Sequence, residues 1–217
     1  MRDKFVPPVP PITPVLFLIF NRPNTTQKVF NAIRQAKPKQ LFVAADGPRK
    51  GKEGEKEKYE QAREIIEQVD WNCEVRTLFR EKNLGCKIAA SSAIDWFFEN
   101  VDEGIILEDD CLPSQSFFRF CQELLEYYRD DTRIMMISGN NFQFGKVRGE
   151  GSYYFSKYAH VWGWATWRRA WKHYDVNMKN FEDFLKSNQI INIFKIKQQQ
   201  KYWMKILQLV YDYKIDA

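Results

Sequence analysis

Gly104-Ile105-Ile106-Leu107-Glu108-Asp109-Asp110 joins a short uncharged run to three consecutive carboxylates. The apolar part is too short for a helix and reads as a strand buried on both faces, with the acids at its carboxyl end. The chain before it repeats one theme. Val15–Phe20 is a first buried strand, and Asn24 or Thr25 can cap a helix whose Val29, Ile33 and Ala36 share a face. Leu41–Ala45 is a second strand, and Lys50–Lys58 a charged, glycine-containing loop. A helix follows through Ile65, Ile66 and Val69. Cys73–Phe79 gives a third strand and Leu84–Phe98 another helix. Beyond the acids, Phe117, Cys121, Leu124 and Tyr128 mark an amphipathic helix, and Ile134–Ser138 a fifth strand. This alternation predicts a single α/β domain built on an open, mostly parallel sheet flanked by helices.

After Gly139 the alternation stops. Tyr153–Tyr158 is expected as a strand placed out of order. Trp164, Trp167 and Trp171 recur at helical spacing and predict the core stripe of a helix, preceded by Trp162 and Gly163 as candidate pocket walls. The first fourteen residues hold five of the nine prolines and read as an extended leader. The chain therefore divides into a Pro-rich leader (1–14), an α/β body (15–174) and a helical C-terminal part (175–217), the last with a basic, glutamine-rich run at Lys195–Lys201.

The longest apolar stretch is far short of the ~20 residues a membrane-spanning helix needs. A net charge of +5 favours anionic ligands such as nucleotide diphosphates and tolerates peripheral contact with an anionic membrane face. No dense basic stripe points to nucleic acid. Cys73, Cys86, Cys111 and Cys121 lack metal-ligand or disulfide-framework spacing, and His160 and His173 are too scattered for zinc, so a reducing, cytoplasmic setting is expected.

Three adjacent carboxylates raise one another's pKa unless a positive charge sits among them. A divalent cation supplies that charge, and hard oxygen ligands suit Mn2+ or Mg2+. If the strand persisted through the acids, Glu108 and Asp110 would face one side and Asp109 the other. Ligands of open α/β sheets bind outside the carboxyl ends of the strands, where this triplet stands. The plainer reading is a set of acids favoured by the dipole of the helix that starts near Ser114.

Other strand ends carry polar signals. Asn21-Arg22-Pro23 follows the first strand, and its arginine suits a base or a phosphate. Asp46-Gly47-Pro48-Arg49 follows the second; its carboxylate can accept from a uracil N–H or a ribose hydroxyl, although Asp-Gly-Pro is also ordinary turn chemistry. Asn83-Leu84-Gly85-Cys86-Lys87 opens the third helix, where Gly85 admits a close ligand and Lys87 sits at the positive helix end.

Taken in order, 15–23, Ala44-Ala45-Asp46-Gly47, Asn83-Leu84-Gly85, Ile106–Asp110 and Gly163-Trp164-Ala165-Thr166-Trp167 resemble the GT-A glycosyltransferases, particularly the N-acetylglucosaminyltransferase I group and its small bacterial relatives. The resemblance implies a GT-A (Rossmann-like) fold and sugar transfer from a UDP-sugar to a saccharide or lipid-linked acceptor, with inversion at the anomeric carbon. It implies Asp110 as the direct metal ligand, with Asp109 acting through a metal-bound water or the ribose. Glu108 would then contact ribose or donor sugar, Arg22 and Asp46, with Asn21 beside them, the uracil, and Lys87 ribose or phosphate. In such enzymes an aspartate beyond the helical segment deprotonates the acceptor. Asp216 is the candidate in this chain. The alternative is a base beyond Ala217 in a longer relative, which would leave the acceptor region here incomplete. Two rivals stand beside this reading: a catalytically inactive UDP-sugar-binding remnant, and a sugar-phosphate nucleotidyltransferase. Pro23 weighs against the second, because it removes a backbone N–H from the loop that would hold phosphate.

Overall fold

The computed structural model describes residues 11–147 and 149–215. Its first strand shows why the sheet is central. β1 (Val15–Ile19) sends Val15, Phe17 and Ile19 into one apolar cluster and Leu16 into another, with Leu18 packed against the second. An uninterrupted apolar strand alternating between two buried faces requires a layer of helices on each side. α1 (Pro23–Ala36), α2 (Glu55–Glu64), the 3-10 turn Ile65–Gln68 and α4 (Gln115–Tyr127) cover one face. α3 (Cys86–Asn100) covers the other, with Trp171 of the short α5 (Arg168–Trp171).

The remaining strands are β2 (Gln40–Ala45), β3 (Glu74–Phe79), β4 (Glu103–Glu108), β5 (Ile137–Ser138) and β6 (Trp164–Trp167), in sheet order β3-β2-β1-β4-β6-β5. β1 to β4 are mutually parallel; β6 runs antiparallel to both β4 and β5. The fold is thus the predicted one, an open, mostly parallel Rossmann-like α/β sheet in a single domain. Residues 11–14, read as the end of the leader, lie against it: Thr13 is buried, the Ile12 N–H donates to Gln122 (2.8 Å) and Pro14 O accepts from Ile105 N–H (2.9 Å).

Four local expectations are corrected. Tyr153–Tyr158 forms no strand. Trp164–Trp167 is a strand, not a helix, and the helix after it lasts one turn. Trp164 and Trp167 are nonetheless buried, because a strand fully enclosed by helices buries side chains on both faces, and the Trp167 indole N–H reaches Leu125 O at 3.1 Å. α2 begins within the segment read as a loop, and α1 starts at Pro23, with Arg22 rather than Asn24 or Thr25 at its cap. Pro fits there because the first helical N–H has no partner to lose.

Three further helices, α6 (Phe181–Lys186), α7 (Ile190–Ile193) and α8 (Lys197–Tyr211), form the C-terminal part. Among the described residues no helix is long and apolar enough to cross a membrane.

Candidate functional site

Strand register assembles the site. Leu18 pairs with Glu108 and Ile19 with Ala45, so Phe20–Arg22, Asp46–Gly47 and Asp109–Asp110 all leave the sheet at its carboxyl edge. β4 stops at Glu108, and a tight turn closed by Cys111 N–H to Glu108 O (3.0 Å) carries the two aspartates. That turn cancels the strand alternation expected of the triplet and lets one side chain reach both aspartates.

Arg22 is that side chain. One guanidinium nitrogen meets Asp109 Oδ1 at 2.5 Å and the other meets Asp110 Oδ2 at 2.6 Å. Its backbone is pinned, since Arg22 O accepts from Thr25 N–H (3.1 Å), Thr26 N–H (2.9 Å) and the Thr26 hydroxyl (2.9 Å). Asp109 is 2% exposed and also accepts from Phe20 N–H at 3.1 Å. Burial nevertheless raises the Asp109 carboxyl above its ordinary value, against the pull of Arg22. Burial, followed by Asp110 and Asp109, raises Glu108 as well. Cys111 is pushed up to about 12 by burial and by Glu108 and Asp110, which keeps it a thiol. The positive charge that the triplet requires is therefore partly internal, and three carboxylates against one guanidinium leave an excess of negative charge.

Asp46 and Gly85, both assigned to the donor, bind each other. The Asp46 carboxylate accepts from the N–H groups of Gly47 (2.9 Å), Leu84 (2.9 Å) and Gly85 (3.1 Å), and from the Asn83 amide (2.9 Å). It ties the end of β2 to the start of α3. Gly47 is required here, because a Cβ would stand 2.5 Å from the Lys82 backbone. Asn21 donates to Glu55 at 2.9 Å. Glu55 is 5% exposed and also receives the Arg49 N–H (2.6 Å) and the Arg49 guanidinium. Neither Glu55 nor Arg49 stands out in the sequence. Glu55 is one acid among Glu53, Glu57 and Glu60 in a lysine-rich stretch, and nothing in the pattern distinguishes it. Lys87 stands at the start of α3 with its ammonium 4.9 Å from the ring centre of Tyr213, so the C-terminal part reaches this edge. Asp216, the candidate acceptor base, and Ala217, beyond which the alternative base is expected, both lie outside the described residues.

A cavity of about 500 Å3 opens beside the acids, within the ~300–1,000 Å3 of small-molecule sites. Asp110, Ser114, Asn140, Trp162 and Gly163 line it, over an apolar floor that includes Leu107 and Phe117. Gly163 has φ +75°, and its carbonyl accepts from Gly139 N–H at 2.9 Å. Gly139 lies flat on Phe117, whose ring would meet an added Cβ at 2.6 Å. Trp162, 63% exposed, stands at the mouth, with Phe142 packed between it and His160. Asp110 belongs both to this cavity and to the Arg22 pair.

Among the described residues no three His, Cys, Asp or Glu side chains converge as a closed metal cage requires. The donor set does fit a different kind of cation site. Mg2+ and its analogues are commonly held by one or two carboxylates plus substrate phosphates. Asp110 lines the cavity, and its Oδ1 meets only the Cys111 thiol, at 3.6 Å, among the hydrogen bonds found.

No protein-family model matches the chain, and a search of curated proteins finds no match. Among solved structures it is similar to a 4-diphosphocytidyl-2C-methyl-D-erythritol synthase from Anaerococcus prevotii. Identity is 9%, the alignment covers 89% of this chain and 84% of that one, and the TM-score is 0.42. A likeness this distant says nothing of activity.

Proposed function

We propose that this chain is a divalent-metal-dependent transferase that binds a UDP-sugar at the carboxyl edge of its sheet and passes the sugar to a saccharide or lipid-linked acceptor. The observation that carries the reading is the position of Asp110, shared between the charged edge and the cavity walled by Trp162 and Gly163. A nucleoside diphosphate needs positive charge along its phosphates and a concave space for the attached sugar. The edge offers Arg22 and Lys87 for the first, and the cavity offers the second.

Asp110 would hold Mn2+ or Mg2+ directly, with Asp109 acting through a metal-bound water, and the cation would supply charge to neutralise that developing on the departing diphosphate. Glu108 and Asn140 would orient sugar hydroxyls, and the Trp162 ring would shield the reacting centre from water. Asp46 acts in this reading by positioning Gly85 and Lys87, not by touching the base, since its oxygens already hold four donors. Transfer would invert the anomeric carbon, an outcome read from the anomeric coupling of the product by NMR.

Calorimetry with UDP, in Mn2+ and then in EDTA, tests the reading on wild type and Asp110→Asn. Metal-dependent binding that is lost in the variant supports it. Equal binding in both, or none by folded protein, removes it. Binding without release of sugar from any UDP-sugar would identify the non-catalytic remnant. Pyrophosphate release from a nucleoside triphosphate and a sugar phosphate would identify a nucleotidyltransferase.

A further inference from the structure

Resting on the donor-site reading above, we infer that Arg22 holds the place of the divalent cation before donor binds and releases Asp110 to it only when a diphosphate offers the guanidinium another partner. The two partners of Arg22 are unequal. Asp109 has a side chain 3% exposed and is fixed from behind by Phe20 N–H, whereas the Asp110 side chain is 44% exposed and faces the cavity. The Arg22 backbone is anchored by the first turn of α1, while its side chain, held by the two carboxylates, is half exposed. The guanidinium can therefore leave Asp110 while keeping Asp109.

A bare cation meets a site whose Asp110 Oδ2 already carries a charge-assisted hydrogen bond at 2.6 Å, with a like charge beside it. It must displace the guanidinium or sit against it, and either weakens binding. A diphosphate reverses the balance, because its oxygens accept the arginine fork as well as a carboxylate does. Cation and nucleotide then bind together better than either binds alone, and the coupling is the same whichever arrives first.

Mn2+ affinity, measured by calorimetry without nucleotide and with UDP on wild type, Arg22→Gln and Arg22→Lys, tests this, with circular dichroism confirming that each protein is folded. Arg22→Gln should bind Mn2+ alone roughly tenfold tighter than wild type, since one positive charge at contact distance has gone. The factor by which UDP tightens Mn2+ should shrink by about as much. Arg22→Lys keeps the charge but lacks the planar fork that meets the two carboxylates from separate nitrogens, and should fall between. Unchanged or weaker Mn2+ binding by folded Arg22→Gln, with wild type binding normally, would overturn the inference and leave the donor site standing. If no protein binds Mn2+ with or without UDP, the donor-site reading fails first and takes the inference with it.

Discussion

Glu55→Gln removes the charge from a buried carboxylate that fastens the loop after β2 to the end of β1. Glu55 accepts from the Arg49 backbone N–H at 2.6 Å, from the Asn21 amide at 2.9 Å and from the Arg49 guanidinium. Hydrogen bonds to a charged group contribute about 1.5–3 kcal/mol each. Arg49 is half exposed and regains water when released, so its guanidinium adds little to this sum. The glutamine oxygen keeps part of the remainder, while its amide turns a donor toward other donors. The balance is a loss of about 2 kcal/mol, or about 4–8 °C in Tm for a chain of this size. Acid provides a second readout. Hydrogen bonding to Arg49, more than any other influence, lowers the Glu55 carboxyl from an ordinary 4.5 to about 2. A depressed carboxylate stabilises the fold fully above its unfolded pKa and loses that contribution as pH falls through the folded one. The Tm gap between wild type and Glu55→Gln should therefore be widest near neutrality and narrow as pH falls below 4.5 toward about 2. Thermal unfolding followed by circular dichroism at stepped pH measures both effects. A gap under about 1 °C at pH 7, or one equally wide in acid, would refute the reasoning.

Gly47→Ala should cost about 1–3 kcal/mol by denaturant midpoint, since the new methyl meets Lys82 backbone 2.5 Å away and disturbs the Asp46 network. Trp167→Phe leaves the Leu125 carbonyl without its buried donor and a gap in the core, and urea unfolding should report a loss of about 2–3 kcal/mol. Trp162→Ala should leave stability within about 0.5 kcal/mol, because the ring is mostly exposed. Sugar transfer or hydrolysis measured on the same protein should fall at least about tenfold if the ring covers the reacting centre.

The parallel half of the fold is legible because β1, β2 and β4 are apolar on both faces and bounded by turn residues, while β3, with Glu74 and Arg76, is an exposed edge strand. β1, β2 and β4 lie within one residue of their expected limits. The sequence reading fails where short apolar segments are ambiguous. Trp164, Trp167 and Trp171 satisfy a helical face, and a four-residue buried strand has no period long enough to contradict them. What decides is β4, which needs backbone partners on the side away from β1, and Trp164–Trp167 supplies them. The acids are legible as a charge conflict, but not its internal relief, because Arg22 is 87 residues from Asp109 in sequence. Glu55 is invisible for a related reason: its burial depends on how the loop from Arg49 folds back, which composition does not encode.

β6 enters the sheet between β4 and β5 after an excursion of more than fifty residues from β4. β1 to β4, including the β1–β4 pairing that brings Arg22 to Asp109, all lie N-terminal to Asp109, whereas the strand pairing that walls the cavity needs Trp164–Trp167. A chain under synthesis emerges N-terminus first, so the segments that carry the charged edge are available before Trp162–Trp167 are made. On a ribosome, the charged edge with Arg22 and Asp109 would therefore exist before the space beside Asp110 does, and a nascent chain would acquire its recognition chemistry before it could enclose anything.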